Sequence, residues 1–259
     1  MPEQVVKSIP SKVQSRMDKA CDSIIEEAKK DYDNRLVPFA QHAEKIRLEW
    51  NNKISDFFSK NQNAKALLKE YLEKEEKEHP EIPQEARWAV WEEISQKIRK
   101  QMLDGTFDTS QEANQKSIQE RFDLSWKFID RVYSFAEQLM DEGKYQEAEG
   151  VFNLLIFFHP YVVEYWQRKA AALFGGKNFE EALNHYVYSL LFEPENPVTF
   201  FEMARCYFQL REVESCLASL EICLKYCDQD TRYSDLKFEA TTVQQALASK
   251  QLSIEGEAK

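Results

Sequence analysis

The sequence predicts an all-α protein whose carboxy-terminal half is a solenoid of stacked helix pairs. Three observations carry that reading. The chain repeats itself every 34 residues between about 129 and 228, glycine is scarce (6 in 259, none before Gly105), and apolar residues recur at spacings of three and four. The 34-residue step takes Ala136 to Ala170 to Ala204, and Tyr145 to Phe179 to Val213. It also takes Ala148 to Ala182 to Cys216, Phe152 to Tyr186 to Leu220, and Pro160 to Pro194. Small residues recur where two helices touch, and large apolar ones where a core has to be filled. A proline or an acidic residue falls where each second helix stops. Two antiparallel helices per unit of this length are the pattern of a tetratricopeptide repeat, and the stretch holds three units. A chance coincidence of apolar positions in an ordinary bundle would not keep five positions in register.

The elements follow in chain order. The absence of glycine before residue 105 removes flexible turns and favours long helices. Val13, Met17, Cys21, Ile24 and Ala28 form one apolar stripe. Phe39, Ala43, Ile46, Trp50, Ile54 and Phe57 form a second, beyond Pro38. Both are narrow, coiled-coil-like seams with charged flanks, able to bury against each other, a second copy or the repeats. Residues 64–79 read as a charged helix that ends before Pro80 and Pro83. A third stripe, Trp88, Trp91, Ile94, Ile98 and Met102, stops at Asp104-Gly105. Thr109 and Glu112 have capping-box spacing. Ile118, Phe122, Trp126, Ile129, Val132 and Ala136 then keep helical spacing, so a continuous helix is expected to join arm and repeats. Inside the repeats, Asp141 to Lys144 and Phe174 to Asn178 make the first two inter-helix turns. Gln209 to Glu212 makes the third, without glycine. Residues 231–249 read as an amphipathic helix that covers the last repeat, as the end of a solenoid requires. The expected organisation is a helical amino-terminal extension over 1–105, a repeat domain with flanking helices over 106–250, and a polar tail over 251–259.

Composition narrows the function. The net charge of −11 is uneven, with 22 basic against 24 acidic residues over 1–127 and 12 against 21 over 128–259. An acidic repeat domain repels a phosphate backbone, so the expected partner is a basic or apolar polypeptide and not nucleic acid. No apolar run is long enough for stable membrane insertion, and MPEQVVKSIPSK lacks the apolar core of a secretory leader. A cytoplasmic protein is expected. The five cysteines, Cys21, Cys206, Cys216, Cys223 and Cys227, have no CxxC spacing and read as reduced core thiols. Cys223 and Cys227 sit one helical turn apart, but no further ligands are near, and no metal is expected. His42, His79, His159 and His185 form no HExxH, and Gly175-Gly176 lacks the spacing of a nucleotide loop. No catalytic residue and no cofactor is expected, which points to a binding protein and not an enzyme.

Repeat stacks of this kind hold extended peptides in the groove lined by the first helix of each unit. Helical register places Asp130, Tyr133, Glu137 and Met140 there in the first repeat. Glu164, Gln167, Ala171 and Phe174 follow in the second, and Val198, Phe201, Arg205 and Phe208 in the third. The groove reads as aromatic and apolar with a few charges at its edges, its rings either touching a ligand or packing between repeats. Trp166 and Tyr207 fit core positions better. Repeats that clamp the carboxylate tail of heat-shock chaperones use Lys, Asn and Arg on the inner helices. Here the corresponding positions hold Tyr133, Glu137, Val198 and Glu202, so that use is not expected.

Two runs carry a more specific resemblance, YSFAEQLMDEGKYQEAEGVFNLLIFF over Tyr133–Phe158 and ALNHYVYSLLFEPENPVTFFEMARCYF over Ala182–Phe208. GKYxEA followed by VF, then HYxYS, then Ala204–Cys206 with its leucine-rich second helix, resemble the translocator chaperones of bacterial type III secretion, the SycD/LcrH type. The resemblance covers about half the chain, roughly residues 120–245. It implies three repeats with a helix before and after, in the bacterial cytoplasm. It also implies a hydrophobic secreted translocator or effector held soluble by an extended segment in the concave groove. Carried over by position, the resemblance places Tyr133, Met140 and Tyr145 of the first repeat and Gln167 and Ala171 of the second in that groove. Family members have a short amino-terminal helix, whereas this chain has an arm of roughly 120 residues, with Trp50, Trp88 and Trp91 on its stripes. The arm leaves open a homodimer, a fold over the groove, or contact with a component of the secretion apparatus. A tetratricopeptide scaffold that assembles other proteins is the alternative reading.

Overall fold

The computed structural model describes residues 22, 25, 26, 60–104, 106–108, 110 and 115–257. The chain divides into two compact units, Met1–Gln115 and Lys116–Lys259. The stripes through Val13 and through Phe39 to Phe57, with their coiled-coil-like reading, lie outside the described residues, as do Thr109 and Glu112.

The described part of the first unit is a helical hairpin. Helix α1 covers 60–78, a 3-10 turn follows at Gln84–Ala86, and α2 runs Trp88–Asp104. Ala64, Leu68 and Leu72, one turn apart along α1, are buried, as are Trp88, Trp91 and Ile98 of α2. Cross-links fix the two helices antiparallel. The Glu76 carboxylate accepts from the Trp88 N–H at 2.8 Å, Lys69 lies 3.5 Å from Glu92, and Lys65 donates to Ser95 Oγ at 3.3 Å. Glu76 thereby satisfies one of the free N–H groups at the start of α2. Between the helices, Arg87 donates to the carbonyls of Ile82 and Pro80, which pins the proline-bounded turn.

The second unit opens with α3, Ile118–Phe122. Its capping box is Ser117 with Glu120: Ser117 Oγ accepts from the Glu120 N–H, and the Ser117 N–H donates to the Glu120 carboxylate at 2.7 Å. The continuous helix expected through Ile118 and Ala136 is interrupted. Asp123 takes a left-handed conformation (φ 51°), and Ser125 caps a new helix by accepting from the Lys127 N–H. The apolar spacing runs on across the break, but local side-chain bonds at Ser117 and Ser125 decide the boundaries.

Three helix pairs follow. They are α4 (Trp126–Asp141) with α5 (Tyr145–Phe158), α6 (Val163–Gly175) with α7 (Phe179–Leu190), and α8 (Pro197–Gln209) with α9 (Val213–Cys227). The second helices start at Tyr145, Phe179 and Val213 and the first helices end at Asp141, Gly175 and Gln209, each a 34-residue step apart. The small positions Ala136, Ala170, Ala204, Ala148, Ala182 and Cys216 are buried, as are Phe152, Tyr186 and Leu220. Each helix packs on the next, so one continuous core runs through the stack. The turns inside the pairs also repeat. Gly143, Lys177 and Arg211 all have φ between 64° and 72°. The following N–H groups, of Lys144, Asn178 and Glu212, reach back to the carbonyls of Leu139, Leu173 and Tyr207 at 2.8–2.9 Å. The second turn contains two glycines, yet its left-handed residue is Lys177. Gly175 has a different reason: a Cβ there would lie 2.5 Å from the ring of Tyr145.

A 3-10 turn at Thr231–Tyr233 and helix α10, Ser234–Glu257, close the stack. Ala240 and Leu247 are buried against Phe201, Ala204, Cys216, Leu220, Cys223 and Cys227, with Leu236 and Val243 packed on the same cluster. The cap is where it was expected, and its helix runs on into the stretch read as a polar tail, to Glu257. Cys206, Cys216, Cys223 and Cys227 are buried free thiols, and Cys21 lies outside the described residues. Among the described residues no helix is long and apolar enough to cross a membrane.

Candidate functional site: the concave groove

The first helices α4, α6 and α8 line one open groove. Met140, Tyr145, Val163, Ala171, Phe174 and Val198 form its apolar surface, and Glu164, Gln167, Arg168, Thr199, Glu202 and Arg205 its polar part. The polar side chains are already matched to one another. Arg168 lies 2.8 Å from Glu137 and 4.0 Å from Glu164. Tyr133 Oη donates to Glu164 at 2.5 Å and accepts from Arg168 Nε at 3.3 Å. Gln167 Nε2 donates to Thr199 Oγ1 at 2.9 Å, tying the second repeat to the third. Arg205 Nη1 donates to both oxygens of Glu202 at 2.8 Å, and its guanidinium lies 4.7 Å from the centre of the Phe174 ring. Burial pushes the Tyr133 hydroxyl up to about 12, with the bond to Glu164 adding to it. Burial also raises Glu137, against the pull of Arg168, and one of its oxygens is enclosed without a hydrogen-bond partner.

Both guanidinium groups that line the groove are therefore paired with carboxylates from the same surface. A free carboxylate entering it would have to displace an internal partner. What remains available is apolar surface beside satisfied polar groups, the arrangement that takes an extended polypeptide with apolar anchors.

The tetratricopeptide repeat family model matches residues 129–161, which hold most of α4 and all of α5. This stretch carries the pattern of one tetratricopeptide repeat. Over 128 residues the chain is 21% identical to low calcium response locus protein H of Yersinia pestis, covering 49% of this chain and 76% of that protein. Among solved structures it is similar to a T3SS complex from Aeromonas hydrophila, with TM-score 0.50 and 19% identity over 60% of this chain and 96% of that one. It is also similar to the type III secretion translocator chaperone SycD of Yersinia enterocolitica, with TM-score 0.49 and 20% identity over 51% and 98%. The resemblance read from GKYxEA and HYxYS thus recurs in a sequence comparison over about half of the chain.

The repeat domain distributes the expected groove residues unevenly. Met140, Tyr145, Gln167, Ala171, Phe174 and Arg205 meet in the groove itself. Tyr133 and Glu137 stand beside it and join it through Arg168, the Tyr133 ring lying against Phe152 and Tyr165. Phe208 lies beyond the groove, around a neighbouring cavity. Phe201 lines that same cavity but is only 6% exposed, with most of its ring in the core shared by α8, α9 and α10. Trp166 and Tyr207 take packing positions. Trp166 donates to the Pro160 carbonyl and stacks on His185, and Tyr207 packs between two core clusters.

Sequence register missed Arg168, Thr199 and Glu193. The signal for Arg168 was present: it lies one 34-residue step before Glu202, which register had already placed on the inner face. Glu193 belongs to the inter-repeat turn, where helical periodicity gives no direction, and Thr199 sits beside Val198, which register places in the groove, at the start of α8.

Proposed function

We propose that this protein is a non-catalytic chaperone of a bacterial type III secretion system, acting in the cytoplasm. It holds an extended segment of a hydrophobic translocator or effector in the concave groove and keeps that client soluble and competent for secretion. The observation that carries this reading is a groove whose apolar surface (Met140, Tyr145, Ala171, Phe174) is free while its two guanidinium groups are paired with carboxylates. The sequence likeness to low calcium response locus protein H and the designation of SycD as a translocator chaperone support the choice of client class. Each large aliphatic anchor buried there contributes about 1.5–3 kcal/mol before ordering costs, so capture requires several anchors along the segment. The acidic exterior keeps the complex dispersed.

The test is co-expression in the native host and pull-down of the full chain, wild type against Ala171→Glu and Met140→Glu. Both positions are half-buried groove residues, so circular dichroism should be unchanged. A carboxylate set against an apolar anchor should cost binding a few kcal/mol. Loss of a co-purifying secreted protein with long apolar segments is expected. An unaltered partner list from both variants would remove the groove as the working surface.

The second reading is a scaffold that works through the amino-terminal unit, binding a second copy or a component of the secretion apparatus. What favours it is that this unit has a buried hairpin core of its own. Deleting residues 1–115 separates the two: a groove-held client stays with the remaining chain, whereas a scaffold partner is lost.

A further inference from the structure

The concave surface does not end with the groove. Beyond it lies a cavity of about 390 Å³, within the range of ligand-holding pockets. Its floor is Ala204, Cys216 and Leu220, all buried, and its walls include Phe174, Phe208 and, from the capping helix, Val243. It is open, not sealed within the core: Phe208 is 50% exposed, and Gln209 and Glu239 on its lining are exposed as well. The partition between groove and cavity is one pair of side chains, Arg205 stacked on Phe174, and both residues line both spaces. Phe208 is accordingly an exposed aromatic ring beside a cavity with a buried apolar floor, one side chain away from the groove.

We infer that this cavity is a second anchor pocket for the polypeptide held in the groove. It takes a large apolar side chain (Leu, Met or Phe) from the part of the segment that passes over the Arg205–Phe174 partition. The inference rests on the groove reading and extends it, because it makes α10 a ligand-contacting element as well as a cap. Continuity decides for a polypeptide occupant: a chain that fills the groove reaches the cavity without leaving the surface. The position of Glu239 favours a neutral or basic neighbour for the anchor over an acidic one.

The test uses the full chain and a defined probe, the strongest binder selected from a random-peptide phage library, made synthetically with a fluorophore. Anisotropy gives its affinity for wild type, Phe208→Asp, Val243→Gln and Ala171→Glu, each checked by circular dichroism. Both cavity variants should bind the probe about tenfold more weakly. Trimming the probe from one end should remove a terminal apolar residue, weaken wild type by the same factor, and erase the difference between wild type and the cavity variants. If Phe208→Asp and Val243→Gln bind the whole probe as tightly as wild type while Ala171→Glu does not, the second pocket is refuted and the groove stands. If no peptide is enriched, or Ala171→Glu binds as wild type does, the groove reading fails and this inference with it.

Discussion

Lys177 and Arg211 hold the backbone angles that Gly143 holds one and two repeats earlier. A side chain in that left-handed region costs about 1–2 kcal/mol, part of which glycine would give back as greater freedom in the unfolded chain. Lys177→Gly and Arg211→Gly should therefore each stabilise the fold by about 0.5–1 kcal/mol, read as a higher urea midpoint with an unchanged slope. Gly143→Ala should move the midpoint down. Glu137 gives a pH-dependent counterpart. Burial raises its folded-state value above the 4.5 of the unfolded chain. The unfolded state then ionises first as pH rises, so stability falls from pH 4.5 up to the raised value and stays lower above it. Glu137→Gln should remove that decline, giving a flatter profile of denaturation midpoint between pH 4 and 7 and a higher midpoint at neutral pH. A mutant as pH-dependent as wild type would place the titrating group elsewhere. At this scale the sequence was readable wherever a side chain fills a core, as at Ala136, Ala170 and Ala204. It was not readable where function depends on which neighbour a charge meets. Arg168 became visible only once Glu137, Glu164 and Tyr133 were seen around it.

Helix boundaries in the repeats are set by short-range side-chain bonds superimposed on the 34-residue period. Asn196 is the clearest case, since its Oδ1 accepts from the N–H groups of Val198 and Thr199 at 3.0 and 3.4 Å with Pro197 in the first helical position. Asn196→Ala should cost about 1 kcal/mol of stability. It should also loosen the start of α8, where Val198 and Thr199 line the groove, so hydrogen exchange at Val198 and Thr199 should rise first. Exchange that rises uniformly along the chain would mean that this cap acts on the whole stack and not on its own element. The same competition explains the two boundary differences. Periodic spacing from Ile118 to Ala136 reads as one helix because apolar spacing cannot register a single left-handed Asp123, while capping by Ser117 and Ser125 can divide it. The polar composition after residue 250 reads as tail because it offers no face to bury, yet α10 propagates to Glu257 from an end already anchored at Ala240 and Leu247.

A solenoid is stabilised mainly by nearest-neighbour interfaces, so its last repeat depends on whatever covers it. Here that cover is α10, and the repeat beneath it carries Cys206, Cys216, Cys223 and Cys227, all buried. Burial pushes the thiols of Cys206 and Cys223 up to about 12 and raises Cys216 and Cys227 as well. Thiols so placed are protonated at neutral pH, and Cys206, Cys223 and Cys227, which do not line the open cavity, react only when the surrounding helices open. These three residues, read from the sequence as reduced core thiols, therefore act as built-in reporters of the carboxy-terminal end. In a Cys21→Ser, Cys216→Ala background the full chain should react with a disulfide reagent such as dithionitrobenzoate only slowly, at a rate set by opening. A chain ending at Asp230 lacks Ala240 and Leu247 and exposes the floor they cover. Cys223 and Cys227 should then react faster by an order of magnitude or more, while α4 and α5 keep their helical signal, because opening spreads from the uncovered end inward. If the shortened chain protects its thiols as well as the full one, α9 closes the stack unaided, and contact with ligand at Val243 becomes the main use of α10.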